Sequence, residues 1–223
     1  MSPPAKDYLS QQMSEQDYLD SEPYSEFKRE YIEGYVYAMA GARIGHNRIT
    51  MNVATALSVH LKGKPCQPYA SDMKVKVGKN YFYPDVLVDC SRLVDDSTFT
   101  ETPTLIVEVL SKSTRRMDET TKRNTYTQLE SLQEYVLIEQ DFVQVEVIRK
   151  STGWLPNHYY LGDSICFESI ALTVTVEEIY ERVQNEDMVE WLAKKALAAE
   201  QEAAALAAGE QISDNRVSSG SVG

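Results

Sequence analysis

The run Thr104-Leu105-Ile106-Val107-Glu108-Val109-Leu110 holds a single acid among apolar residues that fill both alternation phases of a strand. A strand that is apolar in both phases is covered on both faces, which makes Glu108 a buried carboxylate. An unpaired charge there would cost more than the packing of one strand returns. Glu108 is therefore expected to be protonated, ion-paired or bound to a cation. Upstream, in Tyr83-Pro84-Asp85-Val86-Leu87-Val88-Asp89-Cys90, Asp85 opens a second β-rich run directly after a proline. Two carboxylates on neighbouring strands are the smallest cradle for a hard divalent cation.

A length of 223 residues favours one domain with an appendage over two full domains. Nothing in Met1-Ser2-Pro3-Pro4-Ala5-Lys6-Asp7 reads as a signal peptide and no apolar run is long enough to span a bilayer, so the expected location is cytoplasmic. Cys66, Cys90 and Cys166 lie far apart without zinc-type spacing and are expected as buried, reduced thiols. His46, His60 and His158 are scattered, which argues against a histidine-rich metal site. The net charge of −12 opposes a nucleic-acid partner, because duplex binding draws on phosphate neutralisation. From Glu177 onward, however, ten acidic residues face four basic ones, which places half of that excess in the C-terminal appendage. Residues 62–79 carry five lysines against Asp72, and residues 112–123 carry five basic residues against Asp118 and Glu119. Local patches of this kind can take phosphate on an acidic protein.

Along the chain, residues 1–13 read as a tail, and Ser14-Glu15-Gln16-Asp17 resembles a capping box opening a short helix. Two strands around Glu33-Gly34 span residues 27–39. Ile49, Val53, Ala56, Leu57 and His60 recur at helical spacing across 43–62. Strands follow at 73–77 and at the Asp85 and Glu108 runs. The period then turns helical, placing Asp118, Lys122 and Tyr126 four apart on one face. Further strands are expected at 134–139, 143–149 and 154–160. The fold class is α/β, or α+β: a mixed sheet flanked by helices. A nuclease-sized domain would run over 14–184, an alanine-rich helix over 185–210 and a disordered polar tail over 211–223. The helix has a mostly alanine apolar face, which suits projection or pairing with another copy.

Read in order, Arg29-Glu30-Tyr31-Ile32-Glu33-Gly34, Gly45-His46-Asn47, Tyr83-Pro84-Asp85-Val86, Ile106 to Thr114, then Asp118, Lys122 and Tyr126, then Glu134-Tyr135-Val136-Leu137-Ile138 resemble the Uma-type (Uma-two) restriction endonuclease family. That family belongs to the PD-(D/E)XK nuclease superfamily, and the resemblance covers roughly residues 14 to 180. It implies a restriction-endonuclease-like core, a mixed sheet flanked by helices, and Mg2+-dependent hydrolysis of DNA phosphodiester bonds, with Mn2+ as a substitute ion. Asp85 and Glu108 would hold the metal and Lys122 would complete the catalytic set. Glu30, His46, Lys112, Asp118 and Tyr126 are accessory candidates. The superfamily places its lysine two residues after the acid, but Leu110 stands there, and the matching residue is Lys122 on the following helix. Lys112 stands where family members commonly have proline.

Magnesium favours carboxylate oxygens and keeps several waters, so the acid pair leaves room for a phosphate oxygen and an attacking water. A nearby lysine can orient that water and offset charge on the transition state. Other roles stay open. Glu108 can equally be the buried ion-pair partner of Lys122, Asp85 a strand-start residue, Glu30 a solvated acid on an exposed hairpin and His46 a capping or hydrogen-bonded residue. Lys112 suits a phosphate contact or a solvated turn, and Tyr126 suits packing of its helix on the sheet. Tyr31, Tyr35 and Tyr37 suit base stacking or cross-strand pairing. The leading expectation is a metal-dependent endonuclease, with a homodimer suiting cleavage of both strands. Its competitors are a catalytically inactive regulatory protein that oligomerises through the C-terminal helix, and a hydrolase of smaller phosphate esters.

Overall fold

The computed structural model describes residues 11–39 and 41–218, with side chains as far as residue 205. The first ten residues of the expected tail and the last five of the chain lie outside the described residues. The chain divides into two compact units, Met1–Val183 and Gln184–Gly223. In chain order the first unit contains the strands β1 (Gln11–Gln12), β2 (Arg29–Ile32), β3 (Tyr35–Ala38), β4 (Gln67–Ala70), β5 (Lys74–Val77), β6 (Asn80–Phe82) and β7 (Val86–Asp89). These are followed by β8 (Phe99–Thr100), β9 (Pro103–Leu110), β10 (Glu134–Glu139), β11 (Val145–Arg149), β12 (Pro156–Tyr159), β13 (Ser164–Phe167) and β14 (Leu172–Thr175). Its helices are α1 (Glu15–Ser21), α2 (Ile44–Leu61), α3 (Arg123–Tyr126) and α4 (Val176–Ile179), with a π-helical turn, Met117–Lys122, running into α3.

The strands form two six-stranded sheets and a hairpin. One sheet runs β1-β3-β2-β6-β5-β8, the other β12-β11-β10-β9-β7-β4, and β13 pairs with β14. The second sheet is mixed: β10 is parallel to β9 while its other pairings are antiparallel. Sequence periodicity indicates one mixed sheet, and the structure adds the sheet β1-β3-β2-β6-β5-β8, because β1, β6 and β8 are too short to show a period of their own. Gln11–Gln12, assigned to the tail by composition, pairs with Val36 and Tyr35 of β3. Glu33 and Gly34 both adopt positive φ, 51° and 87°, giving the tight β2–β3 reversal that the glycine implies.

One apolar cluster draws on both sheets, joining Ile32, Val75 and Phe82 to Leu87, Ile106, Leu110, Tyr135 and Leu137. Along β9, Ile106 and Leu110 enter this cluster, and alternation puts Glu108 between them on the same face. The stripe Ile49, Val53, Leu57 and Leu61 is buried on α2, which packs against β4, β7 and β9. Both faces of the Glu108 strand are thus covered. A second cluster, Tyr18, Tyr31, Val36 and Tyr81, fastens α1 to the first sheet, with the Tyr18 and Tyr31 rings stacked at 5.1 Å. Tyr31 is therefore buried among tyrosines and not free to stack on a base; its hydroxyl donates to the Met13 carbonyl.

The expectation of three buried, reduced cysteines does not hold. Cys66 and Cys90 form a disulfide, while Cys166 is free and exposed. The physical reason is register: β4 and β7 are antiparallel with Gln67 opposite Asp89, so the flanking residues 66 and 90 face one another despite their distance in sequence. In the second unit, α5 (Glu186–Ser218) carries the expected helix on past residue 210, into the segment that composition assigns to a disordered tail.

A buried ion pair ties the far side of the mixed sheet. Arg149 Nε lies 3.1 Å from Glu134 Oε1, both side chains are almost fully buried, and the Glu134 carboxylate also accepts from the amides of Glu168 and Ser169. Replacing Glu134 by alanine would take away the guanidinium's buried carboxylate and leave two amides without their acceptor. Glu134→Ala is expected to lower unfolding free energy by about 3–5 kcal/mol, the usual cost of breaking a buried pair, read from urea denaturation followed by circular dichroism.

Candidate active site

The chain leaves the first sheet at Phe82 and enters the second at Val86, crossing through Tyr83-Pro84-Asp85. Proline has no amide to give to a ladder, which suits it to this crossing. Asp85 is placed by backbone geometry: its Oδ2 accepts the Val109 amide at 2.7 Å, one residue beyond Glu108. The same oxygen lies 3.2 Å from His46 Nε2, which the first turn of α2 brings in. Burial draws the His46 pKa down, but the hydrogen bond and charge of Asp85 outweigh it, helped by Asp118, and hold it above the ordinary imidazole value. His46 is thus a side-chain partner of Asp85, which favours its charged form, in addition to lying on the helix.

Glu108 is 3% exposed and meets Lys122 Nζ at 3.1 Å through Oε1. Lys122 also lies 3.0 Å from Glu30 Oε1 and 3.2 Å from Asp118 Oδ1. The π-helical turn supplies both Asp118 and Lys122, and widened turns of this kind recur at functional sites. Tyr126, one turn on, packs edge-on against Phe82 and Tyr135 and donates its hydroxyl to Glu108 Oε1 at 3.3 Å. Its packing role and its contact with the acid therefore coexist.

Three carboxylates around one ammonium set the electrostatics. Burial would strip the Lys122 proton, but Glu108, Glu30 and Asp118 together push its pKa well above the usual lysine value. Burial pushes Glu108 well above the carboxylate range; Lys122 opposes this, and Asp118, Asp85 and Glu30 add to it. Asp118 rises for the same first cause, burial, again opposed by Lys122. This surplus of buried negative charge favours uptake of a proton or a cation at the cluster.

Glu30, open to a solvated reading on the hairpin, is 8% exposed and also accepts the Tyr83 amide at 3.1 Å. Lys112 is exposed in the turn after β9 and does not join the cluster. The sequence did not single out Tyr135, whose hydroxyl donates to the Asp118 carbonyl at 3.0 Å, or the Tyr83 and Val109 amides. Tyr135 lies within a quoted strand motif, but a contact made by a main-chain amide leaves no mark on residue type.

Among the described residues no three His, Cys, Asp or Glu side chains converge as a ready metal group. Magnesium does not require one, since it binds through one or two carboxylates and retains waters. The side-chain contacts of Asp85 all run through Oδ2, and those of Glu108 and Glu30 through Oε1, so each acid keeps a second oxygen outside these contacts. Asp118 Oδ1 is buried without an aligned hydrogen bond. Hard oxygen donors and surplus negative charge fit a divalent cation.

A family model described as "Uma2: Putative restriction endonuclease" matches residues 15–176. The Synechocystis protein slr1290 is 35% identical over 173 residues, spanning 75% of this chain and 91% of its own length. A second protein of that strain, sll1609, is 36% identical over 139 residues, spanning 60% of this chain and 78% of its own. A solved structure from Anabaena variabilis, described as "a putative nuclease belonging to DUF820", matches with a TM-score of 0.66 at 18% identity, covering 77% of this chain and 99% of that one. At that identity the likeness speaks for a shared fold. Because the family model spans the strands, the π-helical turn and the crossing that assemble the carboxylate cluster, the chain belongs to the Uma2 family.

Proposed function

We propose that this chain is a divalent-metal-dependent endonuclease that hydrolyses DNA phosphodiester bonds, with Asp85 and Glu108 as metal ligands and Lys122 as the catalytic cation. The observation that carries the reading is the approach of Lys122 Nζ to 3.1 Å from Glu108 from the following helix. It supplies the ammonium that Leu110 cannot supply from the strand. Bound Mg2+, or Mn2+ in its place, would polarise the phosphoryl group and lower the pKa of the attacking water.

The chain's own groups have separable roles in this reading. His46 and the Val109 amide hold Asp85 by one oxygen and leave the other outside these contacts, available to a metal. Tyr126 and Lys122 do the same for Glu108. Lys122 keeps its proton because three acids surround it, so it serves as a fixed positive charge for a water or a phosphate oxygen and not as a base. Glu30 and Asp118 hold that ammonium in place as positioning residues.

A second reading has its own observation. An ammonium carries one charge, and Lys122 already faces three carboxylates at 3.0–3.2 Å, so its charge is matched within the protein. A nuclease fold kept as a regulatory scaffold, oligomerising through its C-terminal helix, would look the same at this point.

Two experiments separate these readings. Titration calorimetry with Mg2+ or Mn2+ is expected to show saturable binding to the wild type and none to an Asp85→Ala/Glu108→Ala double variant, with plasmid nicking lost in parallel. Absence of both binding and nicking in a folded wild type favours the scaffold. Secondly, Lys122→Met is expected to reduce nicking by about 10²–10³-fold, the range for removing one transition-state donor. Tyr126→Phe, which keeps the ring packing, is expected to cost only about 1 kcal/mol of stability and a few-fold in rate. Equal loss from the two variants would show that the cluster acts through stability alone.

A further inference from the structure

Away from the carboxylate cluster, a cleft of about 580 Å³ opens between the turn around Glu22, β4 and β5, lined among others by Glu22, Tyr69, Asp72, Lys74, Tyr83 and Thr98. Its charged residues are unevenly matched. Glu22 is fully engaged, by Arg29 Nε at 2.8 Å, the Arg29 amide at 2.9 Å and the Tyr83 hydroxyl at 3.1 Å. Asp72 is paired with Lys28. Lys74 is 6% exposed and makes no ion pair with any described residue; its Nζ reaches only the Tyr83 hydroxyl at 3.5 Å and the Tyr83 ring, whose centroid lies 5.4 Å away.

A desolvated ammonium held by one long hydrogen bond and an aromatic ring is short of negative charge. Burial accordingly draws the Lys74 pKa down, and Glu22 restores only part of it. Lys28, 5.8 Å from the centroid of the same Tyr83 ring, brings a second cation to this place. Tyr83 also links the cleft to the cluster: its side chain lines the cleft while its amide donates to Glu30, the acid that holds Lys122.

We propose that this cleft is a phosphate subsite, in which Lys74, assisted by Lys28, binds the phosphate of a nucleotide or of a nucleic-acid strand. The anion supplies the negative charge that Lys74 lacks and forms a charge-assisted hydrogen bond to its buried ammonium. The subsite does not depend on the nuclease reading, because it uses none of Asp85, Glu108 or Lys122. If that reading holds, the shared Tyr83 puts the subsite next to the point of cleavage, where a neighbouring phosphate of the same strand would sit.

The test is metal-free calorimetry in EDTA at constant ionic strength, with inorganic phosphate, thymidine 5′-monophosphate and single-stranded oligothymidylate as probes. Wild type and Lys79→Gln, which removes an exposed lysine outside the cleft lining, are expected to bind phosphate alike. Lys74→Met, which removes a buried charge while keeping the side chain's length, is expected to bind at least roughly tenfold more weakly, the scale of one charged hydrogen bond. Lys28→Gln, at an exposed position paired with Asp72, is expected to weaken binding roughly two- to fivefold. Tighter binding of the oligomer than of the monophosphate identifies a strand as the ligand, and the reverse identifies a free nucleotide. Unchanged affinity in both lysine variants, or no binding of any probe by the wild type, overturns the proposal. Because no metal is present, these results are independent of whether the enzyme nicks DNA.

Discussion

The Lys122 ammonium, buried among Glu30, Glu108 and Asp118, is the interaction on which the site and much of the fold depend. Its three partners come from β2, β9 and the π-helical turn, so one cation fixes a strand of each sheet and the helix that follows β9. Neither side of the cluster is stable in the interior alone: an unpaired ammonium would lose its proton and unpaired carboxylates would gain them. The lysine's charge is retained because three acids oppose its burial. The same arithmetic leaves the cluster net negative, and a nuclease site can use that imbalance to attract a cation while a scaffold has no need of it.

Much of this was legible in the residues. Apolar neighbours in both phases mark Glu108 as buried, and four-residue spacing marks Asp118, Lys122 and Tyr126 as one helix face; all three reach the Glu108 cluster. Glu30 was harder to read, because a short hairpin suggests exposure, and it is buried through contacts distant in sequence, with Lys122 and the Tyr83 amide. The extent of the sheet that holds β2 was itself hidden, since strands of two or three residues carry too little period to detect. The disulfide was hidden because pairing between β4 and β7 is a matter of register, not of cysteine spacing. The tyrosines of the hairpin left two roles open, and Tyr31 resolves as core through its stacking on Tyr18.

The basic segments have a more qualified meaning in three dimensions than in one. Of the cations in 112–123, Arg115 pairs with Glu139 and Glu119, Arg123 with Glu146, and Lys122 with its three acids. In 62–79, Lys76 faces Glu15 and Glu101. The 112–123 segment thus commits most of its positive charge to internal pairs, whereas in 62–79 Lys76 alone forms an ion pair among the described residues. Positive charge that remains uncommitted, as at buried Lys74, carries more information about a phosphate ligand than the count of basic residues does.

Asp85 takes one of its contacts from a peptide N–H, that of Val109, and not from a side chain. Every amino acid except proline offers that group. The anchor is therefore indifferent to what residue stands at 109, provided the strand pairs in the same register. Drift can rewrite the apolar side chains of β9 without dislodging the acid, whereas a single proline there, or a one-residue slip of β9, would release it. An attachment of this kind is inherited through topology more than through spelling, which suits a fold shared with a solved structure at only 18% identity.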